Sequence, residues 1–489
     1  MPTQVTSNKL FDRIRYLFGA SYCGLIHSNA DTKVQEYLDN ETEWMREKLF
    51  YSTFSKPVTV STLDSFLKYF MNMGRYNLAM NNIFDSIVIF DEVHTYNFKM
   101  LGFLKRILKE LDKYKIPWCI MSASIPDKLK TQLFEEKIDY ELVTEKGLFE
   151  KKANNICIKK DLNIINDIKL IEEKYEDGKN ILIVCNTVND AKQIYNILKE
   201  KINDTILYHS TFKTEHRKLK EQELFYRLGK IYEKPETDDK DLNKYFENIN
   251  TKKNFILVAT QVVEISLDID FNVMFTEIAP IESLIQRFGR VNRKKNEKRL
   301  GEINIYTNIN SSKKVKIYPY NGLSAYPYKE GLLKEAYDVL ENGIFELQKY
   351  NDWLNISTNN LFEKDKIHTE NFESKINEGY DEYEKILQSM KIYVNTEYEI
   401  RDIDDKLQKI TCWLKNDYDL FGYDLFSKIG KDKLIDIPNW VYQKIKKDTT
   451  KLDPADRNNK QYYDIINLEY NYHEGLIIEE NTFECENII

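Results

Sequence analysis

The feature that most constrains this fold is an alternation. Over residues 1–310, short apolar segments recur between amphipathic stretches. VTVST (58–62), SIVIFDE (86–92), WCIMSAS (118–124), ILIVCN (181–186), FILVAT (255–260) and VMFTEI (273–278) are continuously apolar or β-branched, as strands buried on both faces require. The stretches between them carry helical periodicity. Leu10, Ile14 and Leu17 fall on one stripe within 9–18, and Ala191, Ile194 and Leu198 on another within 188–200. Strand–helix alternation of this kind predicts an α/β fold with parallel sheets covered by helices on both faces.

A polar stretch near 135–165 breaks the pattern, and the series resumes at Asn180. A domain boundary is expected there. Residues 229–253 are charged and lack a strand pattern, which reads as a surface insertion within the second α/β unit. Beyond residue 310 strand signals fade and Tyr-rich amphipathic stretches follow (326–349 and 380–390). The expected organisation is therefore a first domain at 1–145, a second at 146–310 and a mainly helical region at 311–489.

Composition narrows the function. The net charge of −8 excludes a uniformly basic nucleic-acid coat and leaves room for a local basic groove. The six cysteines, at 23, 119, 157, 185, 412 and 485, form no CxxC spacing and read as core residues of a reducing compartment. No apolar run approaches the roughly 18 residues of a membrane span, so no membrane partner and a cytoplasmic location are expected.

Two segments carry chemistry. In IVIFDEVHTYN (87–97) an apolar strand ends in Asp91 and Glu92. Ligands of open α/β sheets sit at that carboxyl edge. The pair suits a nucleoside-triphosphate site, with Asp91 holding magnesium and Glu92 polarising the attacking water. The second segment is QRFGRVNR (286–293). Four of the thirteen arginines lie within 287–299 of a chain whose basic residues are otherwise mostly lysine. The rigid guanidinium fork matches phosphate, so Arg290 and Arg293, three apart on one helix face, are candidates for a γ-phosphate.

Together, Asp91-Glu-Val-His94 and Gln286 to Arg293 resemble motifs II and VI of superfamily 2 helicases. Pro2-Thr-Gln4, TVSTLDSF (59–66), Ser122-Ala-Ser124 and VATQVVEISLDID (258–270) resemble further motifs in the expected order. PTQVTSN (2–8), GLIHSNA (24–30), LYHSTFKTEHR (207–217) and YNYHEGL (470–476) look like the CRISPR-associated helicase of type I interference complexes.

That resemblance implies two RecA-like domains with ATP and Mg2+ between them. Asp91 and Glu92 would handle metal and water. Gln286 would line the site, Asp268 would lie near the nucleotide, and Arg290 and Arg293 would close on it. His94, Ser122 and Ser124 would couple the site to movement. Thr3, Ser7, Thr62 and Thr260 would grip single-stranded DNA through its phosphates. The implied partners are single-stranded DNA, an RNA-guided type I surveillance complex and a separate HD nuclease.

Two features depart from the family. None of the sixteen glycines builds GxxxxGK[ST]. The Gly-Lys pairs at 178, 229 and 430 have Glu173, Leu224 and Leu425 where the first glycine belongs. The first domain is therefore expected to be incomplete at its start by roughly 30 residues, the size of a βαβ step, and ATP turnover by this chain is expected to be impaired. Second, none of the six histidines precedes an aspartate, so no nuclease centre is expected. His27 and His209 read as polar core or groove residues. Two other readings stay open: a non-catalytic DNA-binding or assembly module, and another superfamily 2 motor.

Overall fold

The computed structural model describes residues 1, 4–27, 30, 34, 41–71, 73–122, 125–134, 140–143, 147, 150–251, 253–264, 267–293, 300–307, 327–328, 330–364, 366–388, 409–414, 434–438, 442, 464–466 and 468–477. The chain forms two compact units. One comprises Met1–Lys146 with Asn351–Asp402, the other Gly147–Tyr350 with Ile403–Ile489. Residues 311–489 thus contribute to both.

In the first unit β1 (Cys23–Ile26) pairs in parallel with β2 (Val58–Ser61), and β3 (Val88–Asp91) with β4 (Trp118–Met121). The register sets Asp91 opposite Met121. Helix Phe98–Lys113 follows β3, capped by Asn97, whose side chain accepts from the Met100 amide. Its Phe103, Leu104, Ile107, Leu108 and Leu111 are wholly buried. Helix Lys366–Gln388 packs across it. A Cβ on Gly102 would strike the carbonyl oxygen of Ile376, and one on Gly379 that of Lys99, so the crossing depends on two residues without side chains. Phe98 and Phe372 meet edge to face at 4.9 Å, and Lys99 pairs with Glu382 at 2.8 Å.

The second unit is built on a seven-stranded sheet in the order β11-β5-β10-β9-β6-β8-β7. The strands are β5 (Lys152–Lys159), β6 (Ile181–Val184), β7 (Thr205–Tyr208), β8 (Ile256–Ala259), β9 (Val273–Glu277), β10 (Gly301–Tyr306) and β11 (Gly343–Glu346). All pairs are parallel except β11 with β5. Every residue of β6, β7, β8 and β9 is buried, which is why these segments are mostly apolar, with Thr205, Thr276 and Glu277 as buried polar exceptions.

The charged 229–253 segment is not wholly a solvated surface. It contains helix Lys240–Glu247, N-capped by Asp239, and Leu242, Phe246 and Ile249 bury a stripe at i, i+4, i+7. That stripe packs on Tyr472 and Leu219. The apolar positions are few enough that the flanking charges hide them. Beyond its helices the C-terminal region also holds strands, with β12 (Lys409–Leu414) between β13 (Ile435–Pro438) and β14 (Asp464–Ile466). Among the described residues, no helix is long and apolar enough to cross a membrane.

Candidate functional site

The first unit's candidate residues are built on the end of β3. Asp91 is the last strand residue, and the next amide, Glu92 N, donates both to Met121 O on β4 (2.9 Å) and to the Asp91 carboxylate (3.0 Å). Glu92 is then forced into the left-handed region (φ 53°, ψ 43°). A non-glycine residue there costs about 1–3 kcal/mol and persists where its surroundings over-determine it, which is a mark of functional turns. The surroundings are visible: Thr95 Oγ1 donates to Glu92 O at 2.7 Å, and a 3-10 turn (Val93–Thr95) follows.

His94 reaches across to the neighbouring strand, where Nδ1 and Ser122 Oγ share a hydrogen bond of 2.7 Å. Burial pushes its imidazole down to about 4, so it is neutral near pH 7 and its 3.4 Å approach to Glu92 is not an ion pair there. Two of the residues expected to couple the site to movement, His94 and Ser122, are thus in direct contact within this unit. Ser124 and Thr3 lie outside the described residues. Next to this turn the Tyr96 hydroxyl is buried with no hydrogen-bond partner among the described residues. A strand-end carboxylate with a buried orphan donor on the same turn fits a site completed by a hydrated magnesium ion or phosphate oxygens.

Ser7 and Thr62 are buried in this unit, Ser7 within helix Gln4–Phe18. Thr62 opens helix Leu63–Phe70 and donates from Oγ1 to Ser65 Oγ at 3.0 Å. His27 holds Asn8 Oδ1 at 2.7 Å, a buried polar contact.

The second unit gathers its residues at the carboxyl edge of the large sheet. Helix Ile281–Phe288 starts after Pro280 and buries Ile281, Leu284, Arg287 and Phe288. Arg287, which sequence reasoning passed over, is the hub. It is fully buried and donates to the Glu264 carboxylate (2.8 Å), Thr276 Oγ1 (2.9 Å), Glu277 O (3.0 Å), Asn186 Oδ1 (3.1 Å) and Tyr328 OH (3.1 Å). Gln261 adds a hydrogen bond to Asn186 O at 2.8 Å. The ends of β6, β8 and β9 are thereby tied to one guanidinium. Its signal was present in the arginine cluster, but a buried Arg and an exposed one look alike in sequence.

Gln286 is half-buried on the same helix. Arg290 faces the segment after β8 and donates to Val263 O, Glu264 O and Leu267 O. Arg293 is 43% exposed and pairs through Nε with Asp268 at 3.2 Å. Asp268 is 64% exposed and also meets Lys230 at 2.5 Å. Arg290 and Arg293 lie beyond the end of helix Ile281–Phe288, so they do not share a helix face as their spacing suggested; the turn brings both to Leu267 O, and Arg293 to Asp268. Thr260 is buried at the end of β8. His209 is a core residue: Nε2 meets Glu474 O at 3.0 Å, and the ring stacks on Phe212. Among the described residues no three His, Cys, Asp or Glu side chains are grouped to hold a metal ion.

Residues 177–296 match the family model "CRISPR-associated nuclease/helicase Cas3, C-terminal". The chain is 33% identical over 352 residues to a putative CRISPR-associated nuclease/helicase Cas3 of Methanocaldococcus jannaschii, covering 69% of this chain and 44% of that protein. It is 27% identical over 348 residues to the Cas3 nuclease/helicase of Streptococcus thermophilus, covering 60% and 36%. Among solved structures, Cas3 of T. fusca with ADP superposes with a TM-score of 0.71 at 16% identity, over 98% of this chain and 64% of that one. An RNA-guided surveillance complex in a pre-nicking state superposes with a TM-score of 0.60 at 15% identity, over 98% and 67%. Spanning less than half the length of these two curated relatives, the chain belongs to the CRISPR-associated Cas3-type helicases.

Proposed function

We propose that this chain carries the motor of an ATP-driven single-stranded DNA translocase serving type I CRISPR interference. The observation that carries the reading is the Asp91–Glu92 turn. A strand-end acid is followed by a second acid in a left-handed conformation, and His94 ties the turn to Ser122. In this reading Asp91 would hold a magnesium ion, which would neutralise charge on the phosphates. Glu92 orients the water that attacks the γ-phosphate and takes its proton. Arg293, which among the described residues pairs its side chain with an exposed carboxylate and a distant carbonyl, would exchange Asp268 for the phosphate as charge builds in the transition state. Gln286 would contact the nucleotide, and hydrolysis of ATP would supply the free energy.

Single-stranded DNA would be gripped without base readout. The buried Ser7, Thr62 and Thr260 act by shaping the backbone that meets the phosphates, since their hydroxyls are covered. Recruitment by an RNA-guided surveillance complex, as one solved-structure neighbour is described, and cutting by a separate HD nuclease, where the relatives' names say only nuclease/helicase, would belong to the whole assembly. A second reading, a DNA-binding module without turnover, is favoured by one observation: no GxxxxGK[ST] occurs in the chain.

The test is ATP hydrolysis by the 489-residue chain with and without single-stranded DNA. The motor reading expects slow, DNA-stimulated hydrolysis that Glu92→Gln lowers at least tenfold. Hydrolysis unchanged by Glu92→Gln contradicts the assigned role, and none at all with intact DNA binding supports the second reading.

A further inference from the structure

The two arginines that end QRFGRVNR differ in what holds them. Arg290 donates from Nε to Val263 O at 2.8 Å, from Nη1 to Leu267 O at 2.6 Å and from Nη2 to Glu264 O at 2.5 Å. All three nitrogens of the guanidinium are engaged on main-chain carbonyls of the segment that follows β8. Neutral carbonyls gain strength as acceptors when the donor is charged, and a planar fork meets three of them where an ammonium cannot.

The backbone is joined to the same segment independently. Phe271 N donates to Arg290 O (2.9 Å), Asn292 N to Phe271 O (3.3 Å), and Arg293 N to Asp270 Oδ1 (2.9 Å). Asn292 adopts φ 47°, the left-handed bend that turns the chain back toward Phe271. Arg293's side chain has looser partners. Its Nε meets an Asp268 carboxylate that is 64% exposed, and its Nη1 meets Leu267 O at 3.4 Å. Solvent screens such a pair, so it exchanges readily.

We infer that Arg290 is a positioning residue that fixes the backbone at Val263, Glu264 and Leu267, and through it the Thr260–Asp268 edge, while Arg293 is the one of the two that is available to a phosphate. This rests on the motor reading above and divides the labour within it. The division is unlike the symmetrical role that the spacing of the two arginines suggests.

Hydrogen–deuterium exchange of the full chain tests it, alongside fluorescence anisotropy with a labelled oligothymidylate. Arg290→Ala should raise exchange at the Val263, Glu264, Leu267 and Asp268 amides at least tenfold, with β6 and β9 unchanged, and weaken oligothymidylate binding at least fivefold. Millimolar ethylguanidinium should recover part of both losses, which a general loss of packing would not allow. Arg290→Lys, which keeps the charge, should exchange like the alanine variant, and it decides the question if the alanine variant does not fold. Arg293→Ala should leave exchange at those amides within twofold. The inference is overturned if Arg290→Lys keeps full protection, or if Arg293→Ala loosens the segment as much as Arg290→Ala. Absence of oligothymidylate binding by the unsubstituted chain would instead overturn the DNA-motor reading, and the exchange results would still judge Arg290.

Discussion

At the scale of single residues, burial separates groups that sequence treats alike. Arg287 and Arg293 belong to one motif, yet one is fully buried among five acceptors and the other is 43% exposed. Removing one partner of a buried ion pair leaves the other charge uncompensated, at about 3–5 kcal/mol. Arg287→Ala should therefore lower the thermal midpoint by roughly 10 °C in calorimetry. Arg293→Ala, at a screened surface pair, should shift it by no more than about 2 °C. His94 makes a second prediction. Its imidazole titrates near 4 when folded against 6.5 ordinarily, so between those values the unfolded chain binds more protons. This group's contribution is full above pH 6.5 and is lost as pH falls through 4, at up to about 1.4 kcal/mol per pH unit. His94→Gln should lose stability less steeply than the unsubstituted chain between pH 6.5 and 4.5 in denaturant titrations; parallel curves would contradict the burial argument.

At the scale of elements, the crossing of helices Phe98–Lys113 and Lys366–Gln388 is a sharp test of packing. Gly102→Ala gains about 1 kcal/mol of helix propensity but drives a methyl group into the Ile376 carbonyl, so it should destabilise by about 1–3 kcal/mol net. Gly331→Ala, in helix Glu330–Val339 with nothing near its Cβ position, should stabilise by about 0.5–1 kcal/mol. The same chemical change with opposite sign, read in urea unfolding, isolates the close approach. Elements were legible where the apolar run was continuous, and the expected two-sided burial holds for β6, β8 and β9 but not for β2, β3 and β4, which are partly exposed. β2, β3, β4, β6, β8 and β9 all fall inside the apolar segments that announce them. β5 and β10 did not announce themselves, because Asn154 and Asn304 are buried polar residues that interrupt the apolar pattern. β7 is a short TILY whose first residue looks like a turn. Helix Lys240–Glu247 was hidden because only Leu242 and Phe246 of its eight residues are buried.

At the scale of the whole molecule, two parallel-sheet units were visible in the alternation of strands and helices, and so were the acid pair of one and the arginine segment of the other. The contribution of residues 351–402 to the first unit was not, because long-range packing such as Phe98 on Phe372 leaves no local mark on sequence. What the glycines say about function is a matter for this scale. The acids and arginines proposed for an ATP motor are here, and none of the sixteen glycines builds a GxxxxGK[ST] phosphate loop. The most direct test joins a strand–GxxxxGKT–helix segment ahead of residue 1 and measures ATP hydrolysis with and without single-stranded DNA, against the 489-residue chain. The motor account predicts a rise of at least tenfold over the shorter chain, stimulated by DNA and abolished by Glu92→Gln. Equal hydrolysis by both chains, or hydrolysis in the joined chain that ignores both DNA and Glu92→Gln, would contradict it.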